Sequence, residues 1–355
     1  MGAKKKIILF LIVSLIFLRT GLAFADETLE LYRGVFHVHS VYSHDSQASL
    51  DFIRKTARKA GLDFVVVTDH NTLEGMHHYK KAGDFSSPLL IFGNEISTVD
   101  GHLIALGVHE LTPGDRTSEN LINWIHGQGG YAVLAHPTGK KKPWTHWQVQ
   151  DWDGMEVYNF ADDFYRGNKI KIVLKAIFLS PNAFLSRTAK VPKESLKVWH
   201  GELRSRPVTA FGGTNAHLKL KLAGWAPENF LLYLKSVTTY VYAKSLDEKA
   251  ILKALGEGRS FVALEAVGSA KDFSFIIKTE QAVYGPGEHV KLETPAALSV
   301  TLPREARIEL YRNGELLKEA DGNKLDGKIE KDGNYHAEVY AGKKLWIYAN
   351  PIYVE

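Results

Sequence analysis

Apolar residues gather in short, strand-length runs from Gly34 onward. They are Gly34-Val35-Phe36, Phe64-Val65-Val66-Val67, Leu89-Leu90-Ile91-Phe92, Ala132-Val133-Leu134, Met155-Glu156-Val157 and Val208-Thr209-Ala210-Phe211. Stretches of helical periodicity lie between or after them. Over 50–60 the apolar Leu50, Phe52, Ile53, Ala57 and Ala60 are separated by Arg54, Lys55, Arg58 and Lys59, and Gly61 follows where a left-handed residue closes a helix. The segments 118–127 and 246–255 read the same way. Strands alternating with helices predict a parallel α/β sheet or barrel extending to about residue 264.

Two departures mark the organisation. Over 160–205 the rhythm breaks: 169–175 and 193–203 look helical, with Pro181 and Pro192 interrupting. This insertion sits between two strand ends that carry polar residues, so it is expected either to lie over them as a partial lid or to serve as scaffold. After about Val267 the period changes to two, in the short segments 273–278, 289–293, 298–302, 307–311, 335–340 and 345–348. Gly285-Pro286-Gly287, Asn313-Gly314, Asp321-Gly322 and Asp332-Gly333 punctuate them, and Asn313-Gly314 is a strong hairpin signal. Residues 268–355 are therefore expected to form an all-β sandwich domain behind a barrel of 26–267.

The N-terminus begins with Lys4-Lys5-Lys6, continues through an apolar stretch from Ile7 to Leu18, and reaches Ala23-Phe24-Ala25. That pattern predicts a cleaved signal peptide over 1–25 and export to the periplasm or exterior of a bacterium. A stretch of about 12 apolar residues is too short for a span that needs roughly 20, so no stable membrane span is expected after cleavage. Removing Lys4, Lys5, Lys6 and Arg19 from the 44 basic residues leaves 40 against 40 acidic ones, so nothing in the charge suggests a nucleic-acid partner. The chain has no Cys. Thiolate zinc and iron–sulfur clusters are excluded, and any metal must be held by nitrogen and oxygen, which suits zinc, manganese or iron.

Polar residues stand where most of the predicted barrel strands end: His37-Val38-His39 with Asp45, Asp69-His70, Glu95, His102, His136-Pro137 and Asn215-Ala216-His217. In a parallel barrel such ends meet at one mouth. His37 and His39, two apart on a strand, are expected on one face, and Asp45 returns after a turn containing Ser43. Pro137 is expected to hold His136 extended. Taken singly, a His-x-His is commonly a surface pair and Asp69-His70 a helix start; their order and shared position are what point to a metal site. Glu156 and Asn159 are expected to orient a ligating imidazole from behind. Trp144, Trp147, Trp152 and Trp225 suit core packing, and His44, His77 and His78 are not needed as ligands. Lys140, Lys141, Lys142 and Arg166 are candidates to neutralise a phosphate, although a Lys run also suits a solvated turn.

The set His37-x-His39-x5-Asp45, Thr68-Asp69-His70, Gly93-x-Glu95, His102, Ala135-His136-Pro137 and Gly213-Thr-Asn-Ala-His217 resembles the PHP (polymerase and histidinol phosphatase) superfamily. The closing segment from Trp346 to Val354 resembles the tail of its CehA/McbA-like branch. The resemblance implies a distorted (β/α)7 barrel holding two or three divalent ions. By motif, His37, His39 and Glu95 would hold the first, His102, His136 and Glu95 the second, and Asp45, His70 and His217 the third. Glu95, His102 and His136 are the candidate catalytic residues. Where the family usually has Asp-x-His, this chain has Asn215-Ala216-His217, so an uncharged amide oxygen stands at a ligand position. Weaker affinity there, or a two-metal site, is expected. The implied function is a hydrolase in which clustered ions activate water against a small ester, most readily a phosphoester. Carboxyl or carbamate ester hydrolysis, and metal or ligand binding without catalysis, are the alternatives.

Overall fold

The computed structural model describes residues 23–24, 27–83, 87–110, 112–166, 175, 178–218 and 230–355. The expected signal segment lies outside them apart from 23–24, as do Trp225 and most of the helix expected over 169–175.

Seven strands form a closed barrel: β1 (Glu30–Val38), β2 (Phe64–His70), β3 (Leu89–Ser97), β4 (His102–Leu106), β5 (Tyr131–Ala135), β6 (Gly154–Asn159) and β7 (Thr209–Ala216). Each pairs with the next, and β7 returns to pair with β1. The expected distorted seven-stranded barrel is what the chain forms. Its distortion has a local cause. Strand β4 runs antiparallel to both neighbours, because only the turn around Gly101 separates it from β3. Thr98 N–H and hydroxyl both donate to Gly101 O in that turn, which leaves no length for a crossover helix.

Alternate residues along these strands enter two different cores. Val35, Val65, Val67, Leu90, Leu103, Ala132, Leu134 and Met155 pack with the surrounding helices, among them Ile53 and Ala57 of α1 (Leu50–Ala60). Phe36, Phe64, Val66, Ile91, Ile104, Val133 and Phe211 form a separate cluster that includes Ile251 and Leu255. Helix α1 begins and ends as its sequence predicts: Ser49 Oγ accepts from Phe52 N–H, and Gly61 is left-handed at φ 72°. Helices α2 (Glu74–Ala82), α3 (Ser118–Gly127), α4 (Phe160–Arg166), α5 (Pro181–Thr188), α6 (Lys193–Glu202), α7 (Phe230–Leu234) and α8 (Glu248–Gly256) complete the described helical set. No helix among the described residues is long and apolar enough to cross a membrane.

Two further strands, β8 (Thr238–Ala243) and β9 (Ser260–Ala263), are not among the predicted runs. β8 pairs antiparallel with residues 30–34 of β1, whereas Phe36 and Val38 of the same strand pair with β7. β1 thus belongs to two sheets. β9 carries the connection onward to the C-terminal β region of β10 (Ser274–Lys278), β11 (Val283–Tyr284), β12 (His289–Val290), β13 (Ala296–Arg312), β14 (Glu315–Ile329), β15 (Gly333–Ala341), β16 (Lys344–Ala349) and β17 (Ile352–Val354). The segments 298–302 and 307–311 prove to be one long strand with an irregularity between Thr301 and Ala306. Its partner β14 escapes a period-two search because most of its residues on both faces are exposed. Asn313 and Gly314, at φ 52° and 71°, make the predicted hairpin turn.

Asn350 lies between β16 and β17 and explains part of the closing segment. Its Oδ1 accepts from Ala210 N–H at 2.7 Å, and its Nδ2 donates to Ala210 O at 3.2 Å and Ser260 Oγ at 2.9 Å. The side chain is buried, so one amide joins barrel strand β7 to the outer sheet. Asn350→Leu leaves these groups unpaired and is expected to lower unfolding stability by about 2–4 kcal/mol, since each unsatisfied buried group costs about 1–3 kcal/mol. Urea denaturation monitored by circular dichroism measures this; an unchanged midpoint and slope would contradict it.

Candidate metal centre at the barrel mouth

Glu95, near the end of β3, is 1% exposed and is ringed by imidazoles. Its Oε1 lies 2.7 Å from His102 Nδ1 and 3.1 Å from His136 Nε2. Its Oε2 lies 3.0 Å from His37 Nε2, 3.2 Å from His39 Nε2 and 3.4 Å from His70 Nδ1. A second carboxylate, Asp45, has Oδ2 at 2.8 Å from His217 Nε2 and 3.8 Å from His70 Nε2, so His70 faces both acids through its two nitrogens. Every imidazole and carboxylate of the implied ligand set is in this one constellation, whereas Asp69 is not.

Donor atoms fall into the groups His39–Asp45–His70–His217, His37–Glu95–His136 and His70–Glu95–His102. The implied trio His37, His39 and Glu95 is also compact, with the two Nε2 atoms 3.1 Å apart. His39 reaches further than the motif reading allows: its ring stacks on His217 with centroids 4.1 Å apart. It thus bridges the Glu95 and Asp45 ends. Asn215, at the end of β7, places its backbone carbonyl 3.0 Å from His217 Nδ1, which therefore donates and leaves Nε2 toward Asp45. The Asn215 amide oxygen is buried and has no hydrogen-bond partner.

Backbone geometry differs from the sequence expectation at two candidate ligands. His37 is left-handed at φ 66°, and the ladder slips there against both β2 and β7. A bulge, not a regular pleat, aims His37 and His39 together. His136 is not extended but sits at φ 33°. The proline after it favours the extended region, so the left-handed backbone is imposed by the fold against that local preference. Asn71 and Asn215 are left-handed as well, at 55° and 47°. Strained backbone is thus concentrated where the barrel strands end.

Behind the candidate ligands a further set of groups fixes their orientation. Glu156 Oε1 accepts from His37 Nδ1 at 2.8 Å, which leaves Nε2 as the ring nitrogen facing Glu95. The other oxygen accepts from His136 N–H at 2.7 Å and Asn159 Nδ2 at 2.8 Å. The orienting role expected of Glu156 is seen in these bonds, and Asn159 acts through it. Gly213 makes room for this carboxylate, since a Cβ there would come 1.7 Å from Glu156 Oε1. Gly213 and Ser43 stand within the sequence motifs, which do not reveal their roles, and Ser40 escapes the motif reading. Asp69 accepts from Ser40 N–H at 2.6 Å and Ser40 Oγ at 2.5 Å, which holds the start of the turn carrying Asp45. Ser43 Oγ lies 2.9 Å from Asp45 Oδ1 and 3.3 Å from His39 Nδ1. Only the position of these serines inside the His-x-His…Asp segment could have flagged them.

The electrostatics follow from setting buried Glu95 and partly exposed Asp45 among six imidazoles. Burial by itself would lower His37, but Glu156 and Glu95 on either side outweigh it and push its pKa up to about 10. Burial lowers His39 well below the ordinary range, helped by His217. Burial also lowers His70, to about 4, against the pull of Glu95 and Asp45. Burial would raise Glu95, yet His37 and the bonds from His102 and His136 hold it well below the usual carboxylate range. Asp69 is pushed up to about 6 by burial despite its bonds from Ser40. A nitrogen and oxygen donor set of this kind fits divalent ions such as zinc, manganese or iron. The buried atoms His70 Nδ1, His136 Nδ1, Asn215 Oδ1 and His217 Nε2 lack a hydrogen bond within the protein. The 2.8 Å approach of His217 to Asp45 is therefore close without hydrogen-bonding direction, as expected of two donors aimed at a common point.

The remaining sequence candidates divide. Lys140, Lys141 and Lys142 are exposed on the loop after His136. The side chain of Arg166 lies outside the described residues. His44, His77 and His78 are exposed, and Trp144 and Trp152 are buried in the core. From the insertion, Lys190 and Ser195 line a cavity of about 200 Å³ together with His136, Thr138, Asn159 and Asp162. Leu196 and Trp199 of the same insertion are core residues, so its described part both walls the mouth and supports the barrel.

Residues 36–161 match the PHP domain family, and that stretch begins one residue before His37. An uncharacterised protein of Methanocaldococcus jannaschii is 33% identical over 135 residues, which are 35% of this chain and 79% of that protein. The chain belongs to the PHP-domain family. Its PHP domain match stops before Asn215 and His217, which β7 brings to the mouth from outside the matched stretch. Among solved structures, a two-domain protein of Bacteroides vulgatus containing a predicted PHP-like metal-dependent phosphoesterase is 17% identical, covering 94% of this chain and 99% of that one at a TM-score of 0.45. A candidate metal-dependent phosphoesterase of Bifidobacterium adolescentis is 18% identical, covering 55% of this chain and 91% of that one at a TM-score of 0.37.

Because Glu156 sets the tautomer and direction of His37, Glu156→Gln is expected to keep the fold and weaken metal affinity about 10–100-fold. Zinc titration against a competing chelator reads this directly, and wild-type affinity in the variant would refute the orienting role.

Proposed function

We propose that this chain is an exported, metal-dependent hydrolase of small ester substrates, with phosphoesters as the leading class and a di- or trinuclear site. The observation that carries the reading is the convergence of five imidazoles on the two oxygens of buried Glu95, with Asp45 and His217 adjoining. Export is supported by the basic, apolar and Ala-x-Ala pattern of residues 4–25, and the CehA/McbA-like branch by the segment 346–354.

Divalent ions held by these residues would lower the pKa of water and polarise the attacked ester. The protein's own part is positional. Glu95 places one oxygen toward His102 and His136 and the other toward His37, His39 and His70, so it would bridge two ions. Asp45 and His217 would hold a third, with Asn215 contributing at most an uncharged oxygen. Glu156 keeps His37 Nε2 free of a proton once a cation takes that proton's place. Lys190 and Lys193, on the wall of the cavity that includes His136, are candidate cations for a phosphate.

Side-by-side assays with nitrophenyl phosphate, bis-nitrophenyl phosphate and nitrophenyl acetate test the reading. Turnover of a phosphoester that is abolished by chelation, restored by manganese or zinc, and reduced at least about 100-fold by Glu95→Gln is the expected result, because that change removes the shared charge. Turnover of acetate alone would move the substrate class to carboxyl esters. A second reading, metal binding without catalysis, is favoured by one residue, Asn215. Asn215→Asp is expected to tighten binding of one ion and raise phosphoester turnover. Tighter binding with every ester untouched, in both forms, would leave a binding protein.

A further inference from the structure

On the flank of the barrel, the last turn of α6 brings His200 against β15, where His336 and Glu338 stand two apart on the same face. His200 Nε2 lies 2.6 Å from Glu338 Oε1, and His336 Nε2 lies 3.8 Å from the same oxygen. The other carboxylate oxygen is occupied by Tyr340 OH at 2.5 Å, which leaves Oε1 facing the imidazoles. His336 is wholly buried, and neither of its ring nitrogens has a hydrogen-bond partner. Its ring is held in place by Tyr311, stacked with centroids 4.8 Å apart at 7°, and by Trp199 at 4.5 Å.

An unpartnered imidazole this deep is costly in a protein that satisfies nearly all its buried polar groups. A cation would resolve it. The three donor atoms lie within 4.8 Å of one another. Tetrahedral zinc with ligands near 2.05 Å sets donors about 3.3 Å apart, and the two observed distances to Glu338 Oε1 fall on either side of that. A cleft of about 750 Å³, lined by His200, Arg307, Glu309, Tyr311, Glu338 and Tyr340, leads to the same point and could supply water as a fourth ligand. Two imidazoles, one carboxylate and an open position form a donor set that suits zinc or a neighbouring divalent transition metal.

We propose that His200, His336 and Glu338 form a second metal site, separate from the barrel mouth, that takes a divalent transition-metal ion of the zinc class. Its chemistry does not rest on the hydrolase reading. Its placement gives it a purpose: α6 borders the mouth cavity at its start through Lys193 and Ser195, and the ion clamps the other end of that helix to β15. Ser195 Oγ also meets Thr138 Oγ1 at 2.7 Å, two residues after His136. An ion at Glu338 would fix the helix that walls the site.

The test is a count of zinc. Full-length mature protein is saturated with zinc, freed of excess by gel filtration, and assayed by elemental mass spectrometry beside His200→Ala and His336→Gln. Each variant is expected to hold one ion fewer per chain than wild type. Zinc-edge anomalous scattering from wild-type crystals is expected to show a peak beside Glu338. His336 is a core residue, so its variant is scored only if it folds; His200 is partly exposed, and His200→Ala decides the matter alone. If His200→Ala retains the wild-type zinc count, or the anomalous map shows nothing beside Glu338, the proposal is overturned.

Discussion

A buried carboxylate cannot stay charged in an apolar interior unless positive or hydrogen-bonding groups surround it, and Glu95 imposes that demand on the whole barrel mouth. Removing one partner from such a buried pair generally costs about 3–5 kcal/mol, so each imidazole around Glu95 is held there by more than packing. The price is met on four strands and the loops that follow them: β1 supplies His37 and, just beyond its end, His39, β2 His70, β4 His102, and the turn after β5 His136. Closure of the barrel, with β7 paired back to β1, brings these ends to one point. With protons alone, His37 must remain charged far above its ordinary range; with cations it need not.

Convergence from so many directions does not come free of backbone distortion. Regular parallel strands would carry these side chains outward along the barrel wall as readily as inward. Left-handed residues at His37, Asn71, His136 and Asn215 turn them inward, and the bulge in β1 lets His37 and His39 share Glu95. Each such residue costs on the order of 1–3 kcal/mol and persists only where its surroundings over-determine it. Glu156 is the clearest of those surroundings, since it grips the ring of His37 and the backbone of His136 at once.

Residue types and strand ends were legible in the sequence because ligand chemistry is local: an imidazole or carboxylate after an apolar run reads as such before any fold is known. The barrel and the period-two C-terminal strands were legible for the same reason. What could not be read was whatever depends on partners far along the chain. β8 and β9 earn their place by pairing with β1 and β16, and β14 by pairing with β13, not by their own periodicity. The left-handed turn at His136 runs against the local influence of Pro137. His39's second contact, with His217, joins residues from the first and last barrel strands. Gly213 is required by a carboxylate 57 positions earlier, and no local pattern announces that.

The C-terminal β region is best understood through what it does to β7. That strand delivers Asn215 and His217, the part of the mouth that lies outside the PHP match. Asn350 grips Ala210 on both backbone groups, and Tyr348 OH donates to Phe211 O at 2.9 Å. Gly212 lies so close to Val262 and Val237 that a Cβ would clash with both, and it would come 3.0 Å from Tyr348 OH. Three consecutive residues of β7 are therefore fitted against the outer sheet just before the strand reaches the ligands. A slip of one residue would turn Asn215 and His217 to the opposite face. The outer sheet thus sets the register on which the Asp45 end of the candidate metal centre depends, which is why the closing strands and the mouth have to be treated as one structural unit.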